Sequence, residues 1–80
     1  MILALTLAAS QCGPSPVMYA ALEREFGEAR VYAGASGDAV VEWWRAASGT
    51  FTVLATTADG VSCIIAAGEA GQEFAPKPNL

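Results

Sequence analysis

The sequence contains no histidine, only four Lys and Arg residues, and no charged residue before Glu23. Without histidine, the chain lacks the commonest general base, the commonest metal ligand and the side chain that titrates nearest neutrality. The four cations, Arg24, Arg30, Arg45 and Lys77, are spread singly. They form no basic patch for a phosphate backbone or an anionic bilayer, so neither nucleic acid nor a membrane surface is an expected partner. Two cysteines cannot supply a four-thiolate zinc site, and no metal or other cofactor is expected. A net charge of −4 is an ordinary solubility charge that would also suit a basic partner.

What is present is apolar. Hydrophobic residues make up 54% of the 80 residues and charged ones 15%, which excludes a chain disordered throughout. This length fits one domain, whose small core calls for a staple or a partner. Three parts are expected: an apolar N-terminal segment at residues 1–10, a single domain at 11–69, and a flexible tail at 70–80. The N-terminal run is too short to span a bilayer, and no stable membrane span is expected. Ala8-Ala9-Ser10 fits the small-x-small pattern of signal-peptidase cleavage, although the positive residues that usually begin a signal peptide are missing. Ile2, Leu5 and Leu7 also suit a buried strand. A short membrane-associating tail is a third reading.

Local signals predict an α+β fold, one short helix packed on a three- to four-stranded antiparallel meander. Ser15 is placed as a helix cap with Pro16 in the first turn. Met18, Leu22 and Phe26 recur at four-residue spacing beside Ala21, giving one apolar stripe, and Gly27 follows as the terminator. Residues 30–33 read as a short strand and 34–38 as a small-residue loop. Strands are expected at 39–45, 50–57 and 61–67, rich in Val, Thr and aromatics. Asp59-Gly60 is the strongest turn signal, favouring a two-residue type I′ hairpin.

That turn dictates a register. Ala58 would pair with Val61, Thr56 with Cys63 and Leu54 with Ile65, all on one face. Cys63 has to reach Cys12 just before the helix, so this face is placed under the helix. Phe51, Val53, Ala55, Ile64 and Ala66 then share the other face, which is too apolar to lie bare. The N-terminal segment, the tail or another chain would cover it. Trp43 and Trp44 are neighbours in a strand and must point to opposite faces. One of them therefore leaves the helix-side core, either to pack under the tail or under residues 34–38, or to serve with Phe51, Val53 and Ile64 as an interface.

Cys12 and Cys63 read as a structural disulfide if the protein is exported. Closing a loop of roughly fifty residues contributes about 4 kcal/mol in the chain-entropy model. In a reducing compartment Cys63 would instead be a small buried hydrophobe. Neither cysteine has an adjacent Lys or Arg to activate a thiolate. Asp38 and Glu42 have no fixed separation as a carboxylate pair, and the Gly-rich stretches at 34–37 and 66–71 lack the Lys-Ser/Thr of a phosphate loop. No catalytic residues are expected.

Gln11-Cys12-Gly13-Pro14, the helix ending in Phe26-Gly27-Glu28, Val41-Glu42, Gly49-Thr50-Phe51-Thr52 and the run from Asp59-Gly60 to Gly68-Glu69 carry a resemblance. Over roughly residues 11–70 the chain resembles a group of small uncharacterised proteins from alphaproteobacteria and their phages. Those look like exported proteins whose signal peptide ends just before Cys-Gly-Pro. The resemblance implies a periplasmic or secreted, disulfide-bonded domain and no activity; this chain departs from it in its very short N-terminal segment. Two functions are therefore expected of the sequence: a small non-enzymatic exported domain that binds protein or self-associates through its sheet, or a phage-encoded accessory protein, either a virion component or an inhibitor of a host protein. The second could act in the host cytoplasm.

Overall fold

A computed structural model describes residues 11–72 and 74. The expectations for residues 1–10 lie outside the described residues, as do those for 73 and 75–80. The chain runs β1 (Cys12–Pro14), α1 (Ser15–Phe26), β2 (Ala29–Ser36), β3 (Ala39–Arg45), β4 (Phe51–Thr57) and β5 (Val61–Gly68). The α+β class holds, but the antiparallel sheet has five strands in the order β1-β5-β4-β3-β2 rather than three or four. The extra strand is β1, which the disulfide half-cystine Cys12 opens.

Helix α1 begins at Pro14, whose extended backbone (φ −57°, ψ 135°) leads into Ser15 and Pro16. Ser15 is not the cap expected of it. It lies inside the helix with no side-chain cap bond, and its hydroxyl sits 2.7 Å from that of Ser62. Gly27 ends the helix in the left-handed region at φ 64°, where a Cβ would be strained. Its N–H donates to the Glu23 carbonyl and the Glu28 N–H to the Leu22 carbonyl, both at 3.1 Å. The helix seats Met18, Tyr19 and Leu22 on the sheet against Trp44, Leu54 and Ile64. Phe26 falls outside this stripe and is exposed.

Strands β2 and β3 are joined by the two residues Gly37 and Asp38, since Ser36 pairs with Ala39. Gly37 takes φ 60° while Asp38 stays at negative φ, the sign pattern of a type II′ turn. Strand β2 therefore runs through the segment expected to be a loop. An extra residue, Val31, bulges between the Arg30↔Trp44 and Tyr32↔Trp43 pairs.

The β4–β5 hairpin departs from its expected register. A type I′ turn needs positive φ at Asp59 as well as Gly60. Gly60 has φ 86°, but Ala70 is the one non-glycine with positive φ among the described residues. The loop is instead three residues long, with the Gly60 N–H donating to the Thr57 carbonyl at 3.0 Å. The Asp59 carboxylate accepts from the Thr57 hydroxyl. The pairs become Thr56↔Ser62, Ala55↔Cys63 and Leu54↔Ile64. A bulge then intervenes, and Val53↔Ala66 onward follows the expected register.

That one-residue displacement turns the first half of β5 over. Ser62 and Ile64, not Cys63 and Ile65, lie beneath the helix. Ile65 is exposed. Cys63 is directly opposite Cys12 in the β1–β5 ladder, and the two form a disulfide. Its face can be fixed from Gly13, opposite Ser62, where an added Cβ would come within 3.3 Å of Met18 Sδ on the helix. The disulfide thus lies on the face away from the helix, and the expectation that it sits under the helix is corrected.

Candidate functional site

Two side-chain assemblies stand out, one on each face of the sheet. Beneath the helix is a polar network. Glu42 on β3 is buried, and its Oε2 accepts from the Tyr19 hydroxyl at 2.8 Å and from Arg30 NH1 at 3.1 Å. Thr56 Oγ1 lies 3.5 Å from Glu42 Oε1 and 2.6 Å from the Ser62 hydroxyl. Ser15 extends the chain of hydroxyls onto the helix. The Arg30 guanidinium also stands 5.6 Å from the Tyr19 ring and 5.8 Å from that of Trp44. These two rings stack at 5.1 Å. The carboxylate is thus neutralised and held by donors from α1 and β2. Its partners fix the helix to the sheet; no base stands beside either serine to make it a nucleophile. Glu28 Oε1, Trp44 Nε1 and Thr50 Oγ1 are buried without a hydrogen-bond partner.

The opposite face carries an apolar groove of about 390 Å³. Val31, Tyr32, Trp43, Trp44, Arg45 and Phe51 line it, with Gly71 and Gln72 at the start of the C-terminal segment. Cross-strand pairing explains the assembly: Tyr32 is opposite Trp43, Trp43 opposite Val53, and Arg45 opposite Phe51. The Gly71 N–H donates to the Gly49 carbonyl at 2.7 Å, holding that segment over the end of β4. Added Cβ atoms at Gly68 and Gly71 would meet the Phe51 ring at 2.8 and 3.1 Å. Glycine at both positions lets the backbone lie against the ring, which leaves Phe51 half-buried.

The residues singled out in the sequence separate here. Trp43 is 46% exposed on the groove, whereas Trp44 is 4% exposed and packed under Tyr19. Phe51 lines the groove with Trp43. Val53 is on the same face but only 3% exposed and does not line the groove, so it is not an available contact. Ile64 lies on the helix side. Sequence reasoning missed Val31, Tyr32 (66% exposed) and the Gly71-Gln72 segment. Reading Gly37-Asp38 as a hairpin turn would have placed Tyr32 beside Trp43; nothing comparable signals Gly71.

Among the described residues no three Cys, Asp or Glu side chains converge as metal ligands. No described helix is long and apolar enough to cross a membrane. The chain matches no known protein family, no curated protein and no solved structure.

Proposed function

We propose that the protein is a small, non-enzymatic, exported domain that binds a protein partner through the helix-free face of its sheet. The observation that carries this reading is the groove bounded by Tyr32, Trp43 and Phe51, where aromatic surface stands open on a sheet stapled by the Cys12–Cys63 disulfide. Rigid aromatic side chains around a concavity are the usual anchors of protein recognition. The occupant that fits is an aromatic or branched aliphatic side chain of the partner, since the walls offer mostly carbon. The Cys12–Cys63 bond suits an oxidising compartment, periplasmic or extracellular.

Selection of a random-peptide library on the oxidised chain tests the binding. Enriched peptides should share an apolar anchor, shift the Trp43 emission and lose binding to Trp43→Ser. Enrichment that is indifferent to Trp43→Ser sinks the reading. Intact mass of the protein from its native host tests export, through loss of residues 1–10 and of two hydrogens.

A further inference from the structure

We propose that β2 is a dimerisation strand, through which two copies of this chain pair antiparallel and join their five-stranded sheets into one continuous sheet. The proposal goes beyond the groove and does not depend on it. In the order β1-β5-β4-β3-β2, strand β2 is terminal, and its outer backbone donors and acceptors have no strand partner among the described residues. Such a row is a ready template for pairing with another extended chain.

The two edges of the sheet are unlike. Strand β1 is three residues long, ends in Pro14 and is fastened by the disulfide. Strand β2 is eight residues long, and every residue but Gly34 is exposed. It carries none of the usual guards. It has no proline, no lysine and no carboxylate, and its one charge, Arg30, is drawn to Glu42. The single bulge, at Val31, lies near one end and leaves residues 32–36 in regular pairing with β3.

The pattern of charge selects a second copy as the occupant. Arg30, which bonds Glu42 through NH1 and keeps about half of its side chain exposed, stands near the start of the strand, and Asp38 lies just past its end. Antiparallel apposition brings the Arg30 end of each copy to the Asp38 end of the other, twice per dimer. Between these ends lie Val31 and Tyr32, then Ala33, Gly34, Ala35 and Ser36, whose side chains stand off the sheet faces and leave the edge backbone open to a second strand. A two-fold axis normal to the sheet relates the copies, so one patch serves both and the long edge is used up at two subunits. Both helices then lie on one face and both grooves on the other.

Sedimentation velocity on the oxidised chain over a concentration series tests this, with hydrogen exchange read at the β2 amides. A reversible dimer is expected, with β2 protection rising with concentration. Ala33→Lys combined with Ala35→Lys places guards at exposed positions that the fold tolerates, and should weaken dimerisation at least about tenfold. Trp43→Ser should leave it unchanged. A monomer at millimolar concentration overturns the proposal. So does a dimer that survives the paired lysines, or one that Trp43→Ser abolishes, which would place the contact at the groove instead.

Discussion

On the helix side of the sheet, Leu54, Trp44 and Leu22 are buried together, and the polar atoms among them are largely paired in the Glu42 network. On the other side, Trp43 is 46% and Tyr32 66% exposed, while Val53 on the same face is buried. Both faces come from the same alternating strands. The difference is that helix α1 has enough length, from Ser15 to Phe26, to cover one face only. Among the described residues no second helix covers the other face. On that side Tyr32 and Trp43 are cross-strand partners and remain largely open, while Val53 is buried. One face is packed against the helix, and the other is left without one.

The disulfide tests how far the two faces are independent, because it sits on the uncovered face yet ties down the strand that leads into the helix. It joins residues 51 apart in sequence. Replacing Cys12 and Cys63 together by alanine should cost about 4 kcal/mol, the largest effect of any change considered. Urea unfolding of the oxidised and alanine forms measures it. Leu54→Ala comes next. Leu54 is fully buried beneath the helix, and its truncation should cost about 3 kcal/mol. A loss below about 1 kcal/mol would show that the helix-side core carries less of the stability than its packing indicates.

How much of this was legible in the sequence depended on turn chemistry. The helix and its Gly27 terminator were readable because an apolar stripe and a left-handed glycine are local signals. So was the split between Trp43 and Trp44, which follows from strand alternation alone. The two hairpins exchanged roles. Asp59-Gly60 looked like a two-residue turn and became part of a three-residue loop, because Asp59 keeps a negative φ and its carboxylate takes the Thr57 hydroxyl. Gly37-Asp38 sat in a segment of small residues that looked like a loop and became the two-residue turn. A single residue of register decides which face a side chain occupies, so the first error moved Cys63 and Ile64 to the wrong sides. The second hid Tyr32, and with it half of the groove wall. Strand β1 was unreadable for a different reason: three residues containing Gly and Pro carry no strand pattern, and pairing with β5 creates the strand.

Glu42 sharpens the comparison because it is a charge on the buried face. Glu42→Ala strands the Tyr19 hydroxyl, leaves the Thr56 hydroxyl with Ser62 alone and frees Arg30 from its anion. A loss of about 2 kcal/mol is expected, from hydrogen bonds to a charged acceptor and from buried donors left without one. Glu42→Gln keeps the shape and one acceptor and should cost about half as much. Thermal denaturation followed by near-ultraviolet circular dichroism separates the two, since the Tyr19–Trp44 stack reports on the same region.

The smallest change in stability should come from Trp43→Ser. A core tryptophan truncated to this extent costs about 3–5 kcal/mol. Trp43 is nearly half exposed. The loss should therefore stay within about 1 kcal/mol, while the same substitution removes a wall of the groove. Stability and recognition then separate at one residue: urea midpoints change little, and binding of apolar-anchored peptides is lost. A fall of 3 kcal/mol or more, by the same scale as a buried tryptophan, would instead place Trp43 among the structural residues and make the uncovered face a second core.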